Sequence, residues 1–330
     1  MATIRDIASR LGISQGTVSK GLNGATDISE ALRNQILATA AELGYTKRGI
    51  GKTENRKLCI FIENMDYYME DDFGYEIIRG FRQAAYKEQW AVEVVPVSHH
   101  TQERYPYDQL MIREGFSGAL ILGFSYDDPW MEALKKTKLP TVLFDHYVSG
   151  NPTVGFVGSD SEEGIDLAIA HLAGLGHKKI AFLSGEETSM ISEFRLHAYR
   201  KSMKARGLTP APELYAVSNY STGADSAMVL SLISAGATAI LCGSDLIAYS
   251  VIRCCDSEGI SIPEDLSLIG YDDLPTSSTT RPPLTTVRQD RSMIGQSGYF
   301  ALHALIQGVS LSRNLLRPTL EIRKSTGKAI

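Results

Sequence analysis

At 330 residues the chain is longer than one ordinary hydrophobic core accommodates, so two or three domains are expected. Its 43% hydrophobic and 22% charged content excludes a disordered chain, and no apolar run reaches the ~18 residues of a membrane span. Charge is unevenly spread: residues 1–57 carry nine Lys/Arg against five Asp/Glu, a net of +4, leaving −9 on the remainder of a chain whose formal charge is −5. A basic head on an acidic body points to a polyanionic partner for the head alone. Cys59, Cys242, Cys254 and Cys255 sit in apolar segments and form no Cys-x-x-Cys pair, which excludes a zinc site or a disulfide framework. With no signal-peptide pattern in Met1-Ala2-Thr3-Ile4-Arg5-Asp6, a cytoplasmic protein is expected.

The first predicted helix opens at Thr3, an N-cap with Asp6 at capping-box spacing, and places Ile4, Ile7, Ala8 and Leu11 on one face. Gly12 ends it in a tight turn, Ile13 plugs the turn, and Ser14 caps a second helix over Gln15 to about Leu22. There Val18 and Leu22 face inward, while Gln15, Gly16, Ser19, Lys20 and Asn23 share the opposite face. A third helix starts near Ser29, turns Leu32, Ile36, Ala40 and Leu43 inward, and stops at Gly44. Two helices joined by a short glycine turn form a helix-turn-helix, whose second helix enters the major groove. A small three-helix packing module would share the same pattern.

Three stretches go further: Thr3-Ile4-Arg5-Asp6-Ile7-Ala8, the run from Gly12 to Gly24 (Gly-Ile-Ser-Gln-Gly-Thr-Val-Ser-Lys-Gly-Leu-Asn-Gly), and Ala41-Glu42-Leu43-Gly44-Tyr45. Together they resemble the headpiece of the lactose/galactose-repressor (LacI/GalR) family, and the similarity continues through almost the whole chain. The resemblance implies that Gln15, Gly16 and Lys20 read bases and that Thr3, Ser14, Thr17, Ser19 and Asn23 contact phosphates. Lys20 stands where many relatives carry Arg, and a lysine offers a point charge instead of a fork.

Residues 46–57 form a basic connector with two glycines, Gly49 and Gly51. The resemblance implies a hinge helix there whose leucine wedges into the minor groove. Ile50 aligns near the start of that hinge and is its candidate DNA contact, but Glu54 falls close to the wedge position, where a carboxylate would be repelled. The expectation is a grip through Lys47, Arg48, Lys52, Arg56 and Lys57 with little central kink, or a simple tether.

From Leu58 onward, short β-rich apolar runs alternate with amphipathic helix-length segments, the pattern of parallel sheets with crossover helices. Strands are predicted at 58–62, 91–97, 119–122, 141–144, 154–157, 179–183, 214–217, 239–241 and 268–269, too many for one comfortable sheet. The expected fold class is therefore α/β: an all-α helix-turn-helix headpiece at 1–45, then a body of two doubly wound subdomains. Leu172–Ala181, Ile262–Asp273 and Pro283–Gln289 also match the family, which implies a body of the periplasmic-binding-protein type I kind. Its subdomains are placed at about 58–158 plus 287–311, and 159–286 plus 312–330.

The resemblance implies an effector site at a cleft between the two halves, outside the carboxyl ends of their strands. Arg195 and Asp272 match family ligand positions, and a guanidinium with a carboxylate suits paired hydroxyls; a surface arginine is the plainer reading of the first. Ser244 stands where relatives often have Asn, and Asp245 retains the family's Asp. Tyr220 is placed to stack on a sugar face. Asn64, Phe73 and Asp145 are the candidates from the first half. Asp273 is assigned to holding its loop, and Glu70-Asp71-Asp72 to a solvated loop. Asp272 and Asp273 have no third ligand nearby, so no metal is expected. Dinucleotide-binding, P-loop and His-Glu-x-x-His patterns are absent, so no enzyme, catalytic residue or cofactor is expected. The reading is a transcriptional repressor: a homodimer on a palindromic operator in double-stranded DNA, switched by a sugar or sugar derivative, with no membrane partner. The alternative is a cytoplasmic sugar sensor of the same fold that lacks specific operator binding.

Overall fold

The computed structural model of the chain describes residues 2–45, 56–220 and 222–329. Three helices come first: α1 (Ile4–Leu11), α2 (Gln15–Leu22) and α3 (Glu30–Leu43). Each begins where the sequence supplies a side-chain cap. Thr3 Oγ1 accepts from the Asp6 backbone N–H at 3.3 Å while the Asp6 carboxylate accepts from the Thr3 N–H at 2.8 Å, a complete capping box. Ser14 Oγ accepts from Thr17 N at 3.0 Å, and Ser29 Oγ from Leu32 N at 3.3 Å. Ile7, Ala8, Val18, Leu22, Ile36, Leu37 and Ala40 are buried together. Gly21 makes that packing possible, because a Cβ on it would lie 2.5 Å from Ile36 Cδ1. The end of α3 rests on the body, where Lys138 Nζ donates to the Glu42 carbonyl at 2.8 Å.

Contacts divide the described chain into two units. Unit 1 comprises 1–65, 77–157 and 295–314; unit 2 comprises 66–76, 158–294 and 315–330. The chain order of the elements in the first part of the body is β1 (Lys57–Ile62), α4 (Phe73–Lys87), β2 (Ala91–Pro96), α5 (His99–Arg104), α6 (Tyr107–Glu114), β3 (Ala119–Leu122), α7 (Trp130–Leu134), β4 (Thr141–Phe144) and β5 (Val154–Ser159). Then follow α8 (Ser161–Gly174), β6 (Ile180–Ser184), α9 (Met190–Ala205), β7 (Tyr215–Val217), α10 (Ser226–Ser234), β8 (Ala239–Cys242), α11 (Asp245–Glu258), β9 (Ser267–Asp272), β10 (Thr285–Arg288), α12 (Arg291–Ile306), β11 (Arg313–Leu316) and β12 (Thr319–Glu321).

The strands form two six-stranded sheets, ordered β11-β5-β4-β3-β1-β2 and β12-β10-β9-β8-β6-β7. β1 pairs in parallel with β2 and β3, with Ile60 opposite both Val94 and Leu120. In the second sheet β8 pairs in parallel with β6 and β9, while β12 runs antiparallel to β10. Central strands such as β3 and β8 are buried along their whole length, so they read as continuous apolar runs. In unit 1 the Phe61 ring meets Tyr107, Phe116 and Trp130 edge-on at 6.0, 6.1 and 5.0 Å.

Three strands escape the sequence pattern. β10 has the single large apolar residue Val287, β11 is half-exposed along its length, and β12 is three residues long. Their strand character comes from hydrogen bonding to neighbours already in the sheet. β9 is also longer than its apolar core, because Gly270 and Tyr271 continue the register opposite Thr286 and Val287. Two groupings differ from the sequence expectation: residues 66–76 fall in unit 2, and unit 2 extends to 294 instead of ending near 287. Unit 1 resumes at Gly295, where the absence of a Cβ lets α12 lie against the Ile77 carbonyl of the same unit.

Candidate functional site

On the headpiece, Thr3, Ser14, Gln15, Gly16, Lys20 and Asn23 are exposed, and Thr17 and Ser19 are half-buried. Ser14 Oγ, already a cap, also lies 2.9 Å from Thr17 Oγ1, and Asn23 Nδ2 donates to Ser19 Oγ at 3.3 Å. These four form two local pairs beside the exposed helix face. A Cβ on Gly16 would meet only Ser14 Oγ at 3.6 Å, so packing within the headpiece does not require a glycine there. Lys20 has a partner the sequence did not show: its ammonium pairs with the Asp27 carboxylate. Gly12-Ile13-Ser14-Gln15-Gly16 spells the Gly-x-Ser-x-Gly of a hydrolase elbow, but it joins two helices where an elbow joins a strand to a helix.

Ile50, Glu54 and the proposed hinge lie outside the described residues. Two connector cations are engaged with the body instead of standing free for DNA. Arg56 lies over the Trp90 ring at 5.4 Å, and Lys57 pairs with Glu93 at 2.6 Å and lies 4.6 Å from the Phe116 ring centroid.

In unit 2 the carboxyl ends of β6, β8 and β9 gather a buried polar group. Arg195, on α9, is 3% exposed; its guanidinium lies 3.8 Å from the Tyr271 ring centroid and its Nη1 donates to the Gly243 carbonyl at 2.5 Å. A surface helix arginine is thereby excluded. Asp272 is 5% exposed and accepts from Gln289 Nε2 at 2.8 Å. Burial raises its carboxyl above the ordinary range, and the Arg195 charge opposes that rise. Tyr220 Oη sits 2.9 Å from Ser192 Oγ, one turn before Arg195, and its ring occupies the space a Gly185 Cβ would fill. A shallow open depression of about 480 Å³ lies among Glu186, Thr188, Val217, Ser218 and Asn219.

Ser244 is buried as the N-cap of α11, its Oγ accepting from Ile247 N at 3.2 Å. Asp245 beside it pins the surrounding loops. Its carboxylate accepts from Leu274 N, Ser277 Oγ and Thr286 Oγ1 at 2.8, 2.6 and 2.6 Å. Asp273 holds its loop through Arg323, whose Nη2 donates to it at 2.6 Å. The acidic run is not simply solvated either, since Asp71 accepts from Thr276 N at 3.1 Å and Asp72 caps Tyr68 and Met69 at 2.7 and 2.8 Å.

Phe73, read as part of the first half, groups with unit 2. It lies 5.9 Å from the guanidinium of Arg291, a residue sequence reasoning missed. Arg291 is 3% exposed, donates to the Asp72 carbonyl at 3.4 Å and pairs with Glu76 at 3.7 Å. The available signal was its place directly after the Pro283–Gln289 match, at the start of a helix. Asn64 and Asp145 belong to unit 1 and end β1 and β4. Asn64, Asp145 and Asp272 all hold positive φ, at 48°, 55° and 125°. Such backbone costs of order 1–3 kcal/mol per residue and concentrates at functional sites. His99 opens α5 and faces Glu103 at 3.5 Å. Among the described residues no cluster of His, Cys, Asp or Glu could hold a metal, and no helix is long and apolar enough to cross a membrane.

The profile of bacterial regulatory proteins of the lacI family matches residues 3–47, and that of the periplasmic binding protein-like domain matches 169–326. The chain is 28% identical over 334 residues to the HTH-type transcriptional repressor CytR of Escherichia coli (strain K12), covering 98% of this chain and 96% of that protein. It is 25% identical to the HTH-type transcriptional repressor PurR of Photobacterium profundum, covering 98% of each. Among solved structures, the transcriptional regulator CelR in complex with cellobiose superposes with a TM-score of 0.73 at 25% identity, covering 98% of this chain and 100% of that one. The lac repressor dimer bound to operator and the anti-inducer ONPF gives 0.68 at 25% identity, covering 99% of each. These relatives are DNA-binding regulators and not enzymes. With a lacI-type headpiece on its helix-turn-helix, a periplasmic-binding-protein-like body and full-length relatives among the repressors, the chain belongs to the LacI family of DNA-binding transcriptional regulators.

Proposed function

We propose that this regulator is a cytoplasmic homodimeric repressor of a palindromic operator, and that a sugar or sugar derivative held by Arg195 and Asp272 sets its operator affinity. The observation that carries the effector reading is the buried guanidinium of Arg195, stacked on Tyr271 next to the buried carboxylate of Asp272. A buried cation and a buried carboxylate placed side by side can together bracket a polyhydroxylated molecule, the carboxylate accepting from two hydroxyls and the guanidinium donating to oxygens. Cellobiose in the CelR complex is a ligand of that chemistry. Phe73, Tyr220 and Arg291 complete this set within unit 2, and Asn64 and Asp145, at strand ends of unit 1, are separate candidates for effector contact. On the headpiece, Gln15, Gly16 and Lys20 read base edges, while Thr3, Ser14, Thr17, Ser19 and Asn23 hold phosphates. Effector control follows if the sugar binds one conformation of the body more tightly than another.

The test is a fluorescence-anisotropy titration at fixed salt against a randomised palindromic library, with and without a panel of sugars. Selection of one palindrome whose affinity moves with one sugar is the expected result. Binding that tracks salt and ignores sequence would overturn the operator reading, and a palindrome indifferent to every sugar would overturn the effector class.

A further inference from the structure

The loop between α2 and α3 folds back on the exposed helix. Ala25 N donates to the Lys20 carbonyl at 3.0 Å, Gly24 turns the chain at φ 73°, and the Arg33 guanidinium of α3 donates to the Ala25 carbonyl. Held at Ala25 through both its N–H and its carbonyl, the loop brings the Asp27 carboxylate onto the Lys20 ammonium. Both side chains are 57% exposed, so the pair adds little to stability. Its consequence is directional.

A lysine ammonium carries three equivalent N–H donors on a flexible stem and by itself has no preferred orientation. Asp27 takes one of the three. The two that remain point away from the carboxylate at a fixed angle and make a two-donor fork. Guanine presents two neighbouring acceptors in the major groove, N7 and O6, whereas adenine presents one acceptor and one donor. A two-donor fork matches guanine and sets donor against donor at adenine. The Asp27 charge also repels phosphates, which keeps this lysine from collapsing onto the backbone.

We propose that Asp27 is a specificity-determining residue of the operator interface, orienting Lys20 so that it reads a guanine. The proposal rests on Lys20 being a base reader. Asp27 acts through Lys20 and is a positioning residue; it need not touch DNA itself.

The experiment selects operators from the randomised palindromic library with the full-length chain and with Asp27→Asn, Lys20→Ala and the double variant Lys20→Arg/Asp27→Asn. The native chain selects guanine at one position per half-site by roughly tenfold or more over adenine. Asp27→Asn still binds DNA, with a salt dependence as steep or steeper, but its guanine preference falls to within about twofold as the lysine fork loses its orientation. The double variant restores the preference, since arginine supplies a rigid fork without help. A loop that merely stabilised the headpiece would lower affinity for every sequence alike. Guanine preference kept in Asp27→Asn and lost in Lys20→Ala overturns the orienting role and leaves Lys20 a reader. No loss of preference in Lys20→Ala overturns the base-reading assignment and this proposal with it. Native selection of a base other than guanine at the Lys20-dependent position also overturns it.

Discussion

Arg195 stacks on Tyr271, its guanidinium carbon 3.8 Å from the ring centroid, and Tyr271 is the residue immediately before Asp272. One aromatic ring therefore fixes both where the cation stands and which strand end carries the facing carboxylate. A planar guanidinium can lie flat on a ring and still donate from its edge, and an ammonium cannot do both. Arg195→Lys should weaken effector binding by tenfold or more in titration calorimetry while leaving operator affinity within about twofold. Unchanged effector affinity would remove Arg195 from the site.

The Asp272 carboxyl is raised by burial, so the folded chain holds that proton more tightly than the unfolded chain does. Its contribution to stability is full below the ordinary carboxylate range, near pH 4, and is lost as pH rises through the raised value. Asp272→Asn, which mimics the protonated form and can keep the Gln289 bond, should therefore gain on the native chain at pH 8 and lose most of that advantage by about pH 4. The gain should be on the order of 1 kcal/mol or more. Effector binding, which needs the carboxylate, should weaken in the native chain as pH falls through the same range. Denaturant melts at the two pH values and effector titrations check both; a pH-independent difference would show that Asp272 is not held with a raised carboxyl.

Gly16 and Gly21 lie on the same helix and should respond oppositely to alanine. At Gly21 the added methyl runs into Ile36, so Gly21→Ala should cost roughly 1–3 kcal/mol of headpiece stability and reduce binding to all DNA. At Gly16 there is room, and alanine is the better helix former by up to about 1 kcal/mol. Gly16→Ala should keep or raise the headpiece melting temperature and still weaken the selected operator. Full operator affinity in Gly16→Ala would mean that this part of α2 does not approach the bases.

Arg291→Met keeps most of the volume and removes the charge facing Phe73, Glu76 and Asp272. Effector affinity should fall about tenfold or change its ranking of sugars, with operator binding retained, in the same anisotropy assay. Identical ranking and affinity would reduce Arg291 to a tie between α12 and the 66–76 segment.

Local chemistry is what made parts of this molecule legible before folding. The three headpiece helices follow from caps at Thr3, Ser14 and Ser29 and from inward-facing Ile7, Val18 and Ile36, all of it written within a few residues. The buried strands were legible because both faces are covered, which forces an unbroken apolar run. Arg195 and Asp272 could be named from resemblance, but their burial and their shared ring could not. Long-range packing settled the rest: that β10, β11 and β12 are strands, that Phe73 and Arg291 meet, that Ser244 is a helix cap, and that Lys20 is held by Asp27. The cause is the same in each case. A polar side chain's role depends on which donor or acceptor the fold brings within about 3 Å, and residues distant in sequence carry no local signal of that meeting.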